Sequence, residues 1–107
     1  LDIFQSHLEP ASADFVICQE VLEHLEDPGR LCRILLGLAK PGAKAYITAA
    51  INAAHEDHIY LFSSPEEVSA MLRKSGWAIL ASRSEYAYEG RPLGVTPCVT
   101  GLFCQKP

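Results

Sequence analysis

Short unbroken apolar runs alternate along this chain with segments whose apolar residues recur every three or four positions. Phe15, Val16, Ile17 and Cys18 form the first run, which suits a strand buried on both faces of a parallel sheet. Asp27-Pro28 follows as a helix opening, with Asp27 as N-cap and Pro28 at the first helical position. Leu31, Ile34, Leu35 and Leu38 then fall at i, i+3, i+4 and i+7, one apolar stripe. Lys40-Pro41-Gly42 is expected to end that helix. Residues 45–51 form a second apolar run, in which Tyr46, Ile47 and Thr48 favour a strand. Residues 52–62 are polar and irregular. Ser64-Pro65-Glu66-Glu67 predicts a second helix, with Ser64 as cap and Glu67 closing a capping box. Val68, Met71 and Leu72 supply its apolar stripe, and Gly76 its left-handed stop. Residues 77–87 and 96–105 read as two final strands with no helix between them.

Alternating strands and helices indicate an α/β fold built on a parallel sheet with right-handed crossovers. The last two strands follow each other directly and are expected to pair antiparallel at one sheet edge. The chain has 107 residues, a single-domain length, and shows no repeat, linker or low-complexity tract. Its composition, 49% hydrophobic and 21% charged, is that of an ordinary globular protein. A net charge of −4 with scattered basic residues argues against nucleic acid as a partner of this segment. Four cysteines without a Cys-x-x-Cys pair suggest neither a zinc ribbon nor a disulfide framework, and a reducing, cytoplasmic setting is expected. No apolar run reaches the ~18 residues of a membrane span. The chain opens on Leu1 in what reads as the middle of a pattern, as a fragment of a longer protein would.

Three stretches resemble class I S-adenosylmethionine-dependent methyltransferases. The first runs from Ser12-Ala13-Asp14-Phe15-Val16-Ile17-Cys18 through Gln19-Glu20-Val21-Leu22-Glu23-His24-Leu25. It is similar to the family's fourth strand and the acidic segment after it, with Asp14 and Phe15 in reversed order. The second, Leu38-Ala39-Lys40-Pro41-Gly42-Ala43, resembles the turn before the family's fifth strand. The third begins at Asp57-His58-Ile59-Tyr60-Leu61-Phe62-Ser63-Ser64-Pro65-Glu66-Glu67-Val68 and continues through Leu72 to Ser75-Gly76-Trp77. The resemblance implies that residues 1–107 are a partial methyltransferase domain, strands four to seven of a Rossmann-like sheet. The sequence contains no Gly-x-Gly-x-Gly, so the family's glycine-rich cofactor loop and its N-terminal strands are expected to be missing.

The resemblance implies S-adenosylmethionine as the cofactor. Asp2 lies twelve residues before Asp14, where family members place an Asp that accepts a hydrogen bond from the adenine amine. A carboxylate, being acceptor-only, suits that task. Ile3 is placed to pack on the adenine, and Cys18, Gln19 and Glu20 to border the methionine moiety, partly through backbone groups. Glu20, Glu23 and His24 fall at i, i+3 and i+4 and would share a face if a helical turn began at Glu20. With His58, or His55, from the next loop they would suit Mg²⁺ or Mn²⁺. That pattern is similar to ubiquinone-pathway O-methyltransferases and small-RNA 2′-O-methyltransferases, in which the cation orients the attacking hydroxyl. Glu23 as a solvated helix residue and His24 as a turn residue are the alternative. Without a metal, His24 and His58 are candidate catalytic bases.

The expected activity is methyl transfer to a small-molecule acceptor, a hydroxyl among the possibilities, and the N-terminal half is expected to be required. Tyr60, Phe62, Tyr86 and Tyr88 are candidate walls of the acceptor site. The alternative is a non-catalytic module that self-associates through an exposed sheet edge, and a homo-oligomer is expected of the isolated chain.

Overall fold

The computed structural model describes residues 9–51, 60, 62–86 and 98–107, with Tyr86 by its backbone only. Strand β1 spans Ala13–Cys18, β2 Ala39–Ile51, β3 Ala78–Tyr86 and β4 Cys98–Gln105, with helix α1 at Pro28–Leu38, helix α2 at Pro65–Ser75 and a 3₁₀ turn at Leu22–His24. The four strands form one sheet in the order β1-β2-β4-β3. β1 and β2 pair in parallel, whereas β4 runs antiparallel to both β2 and β3. The closing antiparallel pair at a sheet edge is therefore present as expected. β4 inserts between β2 and β3, so β1, β2 and β3 run in one direction and β4 alone opposes them.

Helix α1 starts where the sequence places it. Asp27 Oδ1 accepts from the Arg30 amide at 3.1 Å, and Leu31, Cys32 and Leu35 are buried. Lys40-Pro41-Gly42 does not form a free loop after it. β2 begins at Ala39, because Ala39 pairs with Ala13 and Gly42, at φ +83, donates its amide to Lys106 O. At the head of α2, Ser64 Oγ accepts from the Glu67 amide. The reciprocal half of the capping box differs: the Glu67 carboxylate takes the Ser63 hydroxyl at 3.1 Å. Gly76 ends α2 in the left-handed conformation at φ +111. A Cβ there would meet Leu36 Cδ2 at 2.6 Å, so Gly76 also lets α1 and α2 approach.

Both helices lie on one face of the sheet. Val16, Cys18, Ala45, Ile47, Leu102 and Cys104 from the strands join Leu31, Cys32, Leu35, Val68, Leu72 and Trp77 in one core. Trp77 satisfies its indole N–H on Cys32 O at 3.1 Å, tying β3's entrance to α1. The other sheet face is uncovered among the described residues. Phe15 is 48% exposed and Ile17 67%, with Tyr46 and Val99 beside them. The reading of residues 15–18 as buried on both faces is corrected accordingly: alternation along β1 buries only Val16 and Cys18.

Candidate functional site at the strand tips

β1 ends at Cys18, level with Ile47 of β2, while β2 continues four residues further to Ile51. At Ile51 the neighbour is no longer β1 but Phe62, which forms a parallel bridge. The chain leaving β1 thus turns away from the sheet at residues 19–24, and Phe62 fills the vacated place. In open α/β sheets ligands bind outside the carboxyl ends of the strands, the end of the sheet at which residues 19–24 leave β1. Gln19 and Glu20 are exposed there.

Three hydrogen bonds fix this turn. The Glu20 amide donates to Thr48 Oγ1 at 3.0 Å, the Ala50 amide donates to Glu23 Oε2 at 3.4 Å, and the Tyr60 amide donates to Glu23 O at 3.1 Å. Tyr60 stacks against Phe62 with ring centroids 4.7 Å apart. Tyr60 also lines a cleft of about 210 Å³ between α1 and α2, together with Glu26, Asp27, Arg33, Met71 and Lys74.

The candidate residues fare differently. Cys18 is only 5% exposed and its side chain belongs to the core. Burial, and then the nearby Glu23 carboxylate, push its thiol up to about 11, so only its backbone is available to a ligand. Glu20 is not the start of a helical turn. Its φ of +54 is left-handed, and the 3₁₀ turn begins two residues later at Leu22. The premise that Glu20, Glu23 and His24 share one helical face is therefore corrected. Glu23 points inward at 2% exposure, whereas Glu20 and His24 are exposed. Among the described residues no three His, Cys, Asp or Glu side chains converge into a possible metal group; His58, the fourth residue of the expected set, lies outside them. Phe62 is fully buried and is core, not a pocket wall. Asp2, Ile3, His55, His58 and Tyr88 lie outside the described residues, as does the side chain of Tyr86.

Sequence reasoning missed Thr48 and Glu23 as the fixings of this turn. A hint was present: Thr48 is the one polar residue in the run Ile47-Thr48-Ala49-Ala50-Ile51. Among the described residues no helix is long and apolar enough to cross a membrane.

A family model described as "Methyltransferase domain" matches residues 1–47. The ubiquinone biosynthesis O-methyltransferase of Ralstonia nicotianae is 36% identical over 87 residues, covering 64% of this chain. The chain spans only 37% of that relative's length. Among solved structures, the [4+2]-cyclase SpnF superimposes with a TM-score of 0.80 at 14% identity, over 100% of this chain and 54% of its own. Phosphoethanolamine N-methyltransferase 2 of Haemonchus contortus, solved in complex with S-adenosyl-L-methionine, gives 0.73 at 15% identity, over 99% and 36%. At such identities the structural likeness speaks for the fold. With the family match over residues 1–47 and the curated relatives beside it, this chain is similar to the class I S-adenosylmethionine-dependent methyltransferases.

Proposed function

We propose that this chain serves as the strand-four-to-seven part of a methyltransferase that moves the methyl of S-adenosylmethionine onto a hydroxyl of a small molecule. The single observation that carries the reading is the divergence of β1 and β2 beyond Ile47, which leaves Gln19 and Glu20 exposed at the strand tips. Similarity to ubiquinone biosynthesis O-methyltransferases favours an oxygen acceptor over nitrogen or carbon.

The bound cofactor supplies an activated methyl, and transfer from a sulfonium is an in-line displacement. The protein's work is then to hold the attacking oxygen about 3 Å from the methyl carbon and to receive one proton from it. Cys18 through its backbone, with Gln19 and Glu20, would border the methionine moiety. Asp2 and Ile3 would meet the adenine. His24, exposed at the end of the 3₁₀ turn, would receive the proton, with His58 from the following loop as the second candidate. Glu23 Oε2 accepts from the Ala50 amide at 3.4 Å. Full cofactor affinity would need a glycine-rich loop, which these 107 residues do not contain.

Calorimetric titration with S-adenosylhomocysteine tests the reading. Saturable heat that weakens on Gln19→Ala is the expected result. No binding at millimolar ligand, both alone and after mixing with the N-terminal part of the Ralstonia relative, would sink it.

A second reading draws on the sheet face and the β1 edge that no described residue covers. An edge strand with exposed Phe15 and Ile17 invites pairing with another chain. On that reading the chain is a non-catalytic module that self-associates.

A further inference from the structure

Glu20 is a non-glycine residue held at φ +54, a conformation that persists only where the surroundings over-determine it. What does so is a hydroxyl on the neighbouring strand: the Glu20 amide donates to Thr48 Oγ1 at 3.0 Å across a separation of 28 residues. Thr48 is 7% exposed, the one polar side chain in an otherwise apolar stretch of β2. A valine would match its shape and its preference for a strand, so the hydroxyl itself calls for a purpose. Two residues further along β2 the Ala50 amide holds Glu23 Oε2. The turn leaving β1 is thus fastened to β2 at two points one strand repeat apart, and Thr48 makes the shorter bond, to the residue in the strained conformation.

We propose that Thr48 is a positioning residue: its hydroxyl keeps Glu20 left-handed and so presents Gln19 and Glu20 at the strand tips, ready for the cofactor's methionine moiety. This rests on the reading that the turn borders the cofactor. Thr48 touches no ligand itself. It acts through the backbone of Glu20, so its loss lowers affinity without removing a contact.

The test compares Thr48→Val, which keeps the shape and deletes the hydroxyl, with Thr48→Ser, which keeps the hydroxyl. Native-state amide exchange read by NMR should show the Glu20 amide exchanging about five- to tenfold faster in the valine variant, the loss of one hydrogen bond. The Ile47 amide, in the middle of β2, should keep its rate. Serine should restore Glu20. Affinity for S-adenosylhomocysteine should fall by a similar factor in the valine variant and recover in the serine variant. Unchanged Glu20 exchange in Thr48→Val, or no recovery in Thr48→Ser, overturns the proposal. So does altered exchange with cofactor affinity equal to that of the parent chain. If the parent chain binds no S-adenosylhomocysteine under any condition, the functional reading fails, while the exchange rates still decide whether Thr48 holds the turn.

Discussion

The phenol of Tyr46 on β2 occupies the space above Gly101 on β4. A Cβ at Gly101 would lie 2.6 Å from Tyr46 Oη and 3.2 Å from Cζ. Gly101 faces Thr48 across the ladder, and Tyr46 faces Phe103, so the ring leans diagonally onto the neighbouring strand. Diagonal neighbours in a sheet are within reach of aromatic side chains. The ring covers a glycine that would otherwise leave backbone open on the uncovered face.

Gly101→Ala should therefore destabilise the fold by about 1–2 kcal/mol, the range typical of overpacking, because the ring must swing away. Tyr46→Ala should cost stability as well. In the double variant most of the Gly101→Ala penalty should disappear, since its cause has been removed. Urea midpoints of the four proteins measure the coupling. Strictly additive effects would mean that the two residues do not share this space.

Lys106 is expected to contribute to stability through α1. Its Nζ donates to Leu36 O and to Ala39 O, each at 2.9 Å, placing a cation on the carbonyl end of α1. Both the hydrogen bonds and the helix dipole favour it there. Lys106→Met keeps the stem and deletes the charge. It should lower unfolding stability by about 1–2 kcal/mol, with hydrogen exchange quickened in the last turn of α1 and not in α2.

The four cysteines are free and buried, and their thiols should resist modification at pH 8. Burial pushes Cys32 up to about 12, with Cys18 and Cys104 nearby adding to the shift. Burial likewise pushes Cys104 to about 11, and raises Cys98. Only a thiolate reacts readily, so Ellman's reagent should label the native chain slowly and all four thiols after unfolding in guanidinium. The sign of the pH dependence follows from the same shifts. Unfolded thiols ionise from about their ordinary 9.0, whereas the folded Cys18, Cys32 and Cys104 stay protonated until about 11 to 12. The folded state then binds more protons, so stability is intact below pH 9 and falls as pH rises from 9 toward 12. Cys32→Ala should flatten that fall, as measured by denaturation at pH 8, 9.5 and 10.5.

Ile17 is the most exposed large apolar side chain of the described residues, at 67%, and it sits on an edge strand. Self-association through this edge would make the sedimentation coefficient rise with concentration in the micromolar range. Ile17→Lys puts a charge on the edge, the device natural sheets use against such pairing, and should leave a monomer of unchanged helix content. A parent chain that is monomeric throughout would remove the second functional reading.

Local chemistry made much of this fold legible. Asp27-Pro28 and Ser64-Pro65 place both helix starts because a cap and a fixed φ act within four residues. Gly76 marks a stop because only its own backbone is at issue. Three stretches in order, Ser12 to Leu25, Leu38 to Ala43 and Asp57 to Trp77, together carried the resemblance to the methyltransferases. What no local pattern contained was the neighbour of each strand. That β4 inserts between β2 and β3 and that Lys106 caps α1 depend on contacts spanning up to 70 residues. The same holds at the site. The spacing of Glu20, Glu23 and His24 suggested one helical face, but the Thr48 hydroxyl and the Ala50 amide pull Glu20 and Glu23 into different conformations. Sequence fixes what a residue prefers alone, and only the folded sheet decides which distant partner overrides that preference.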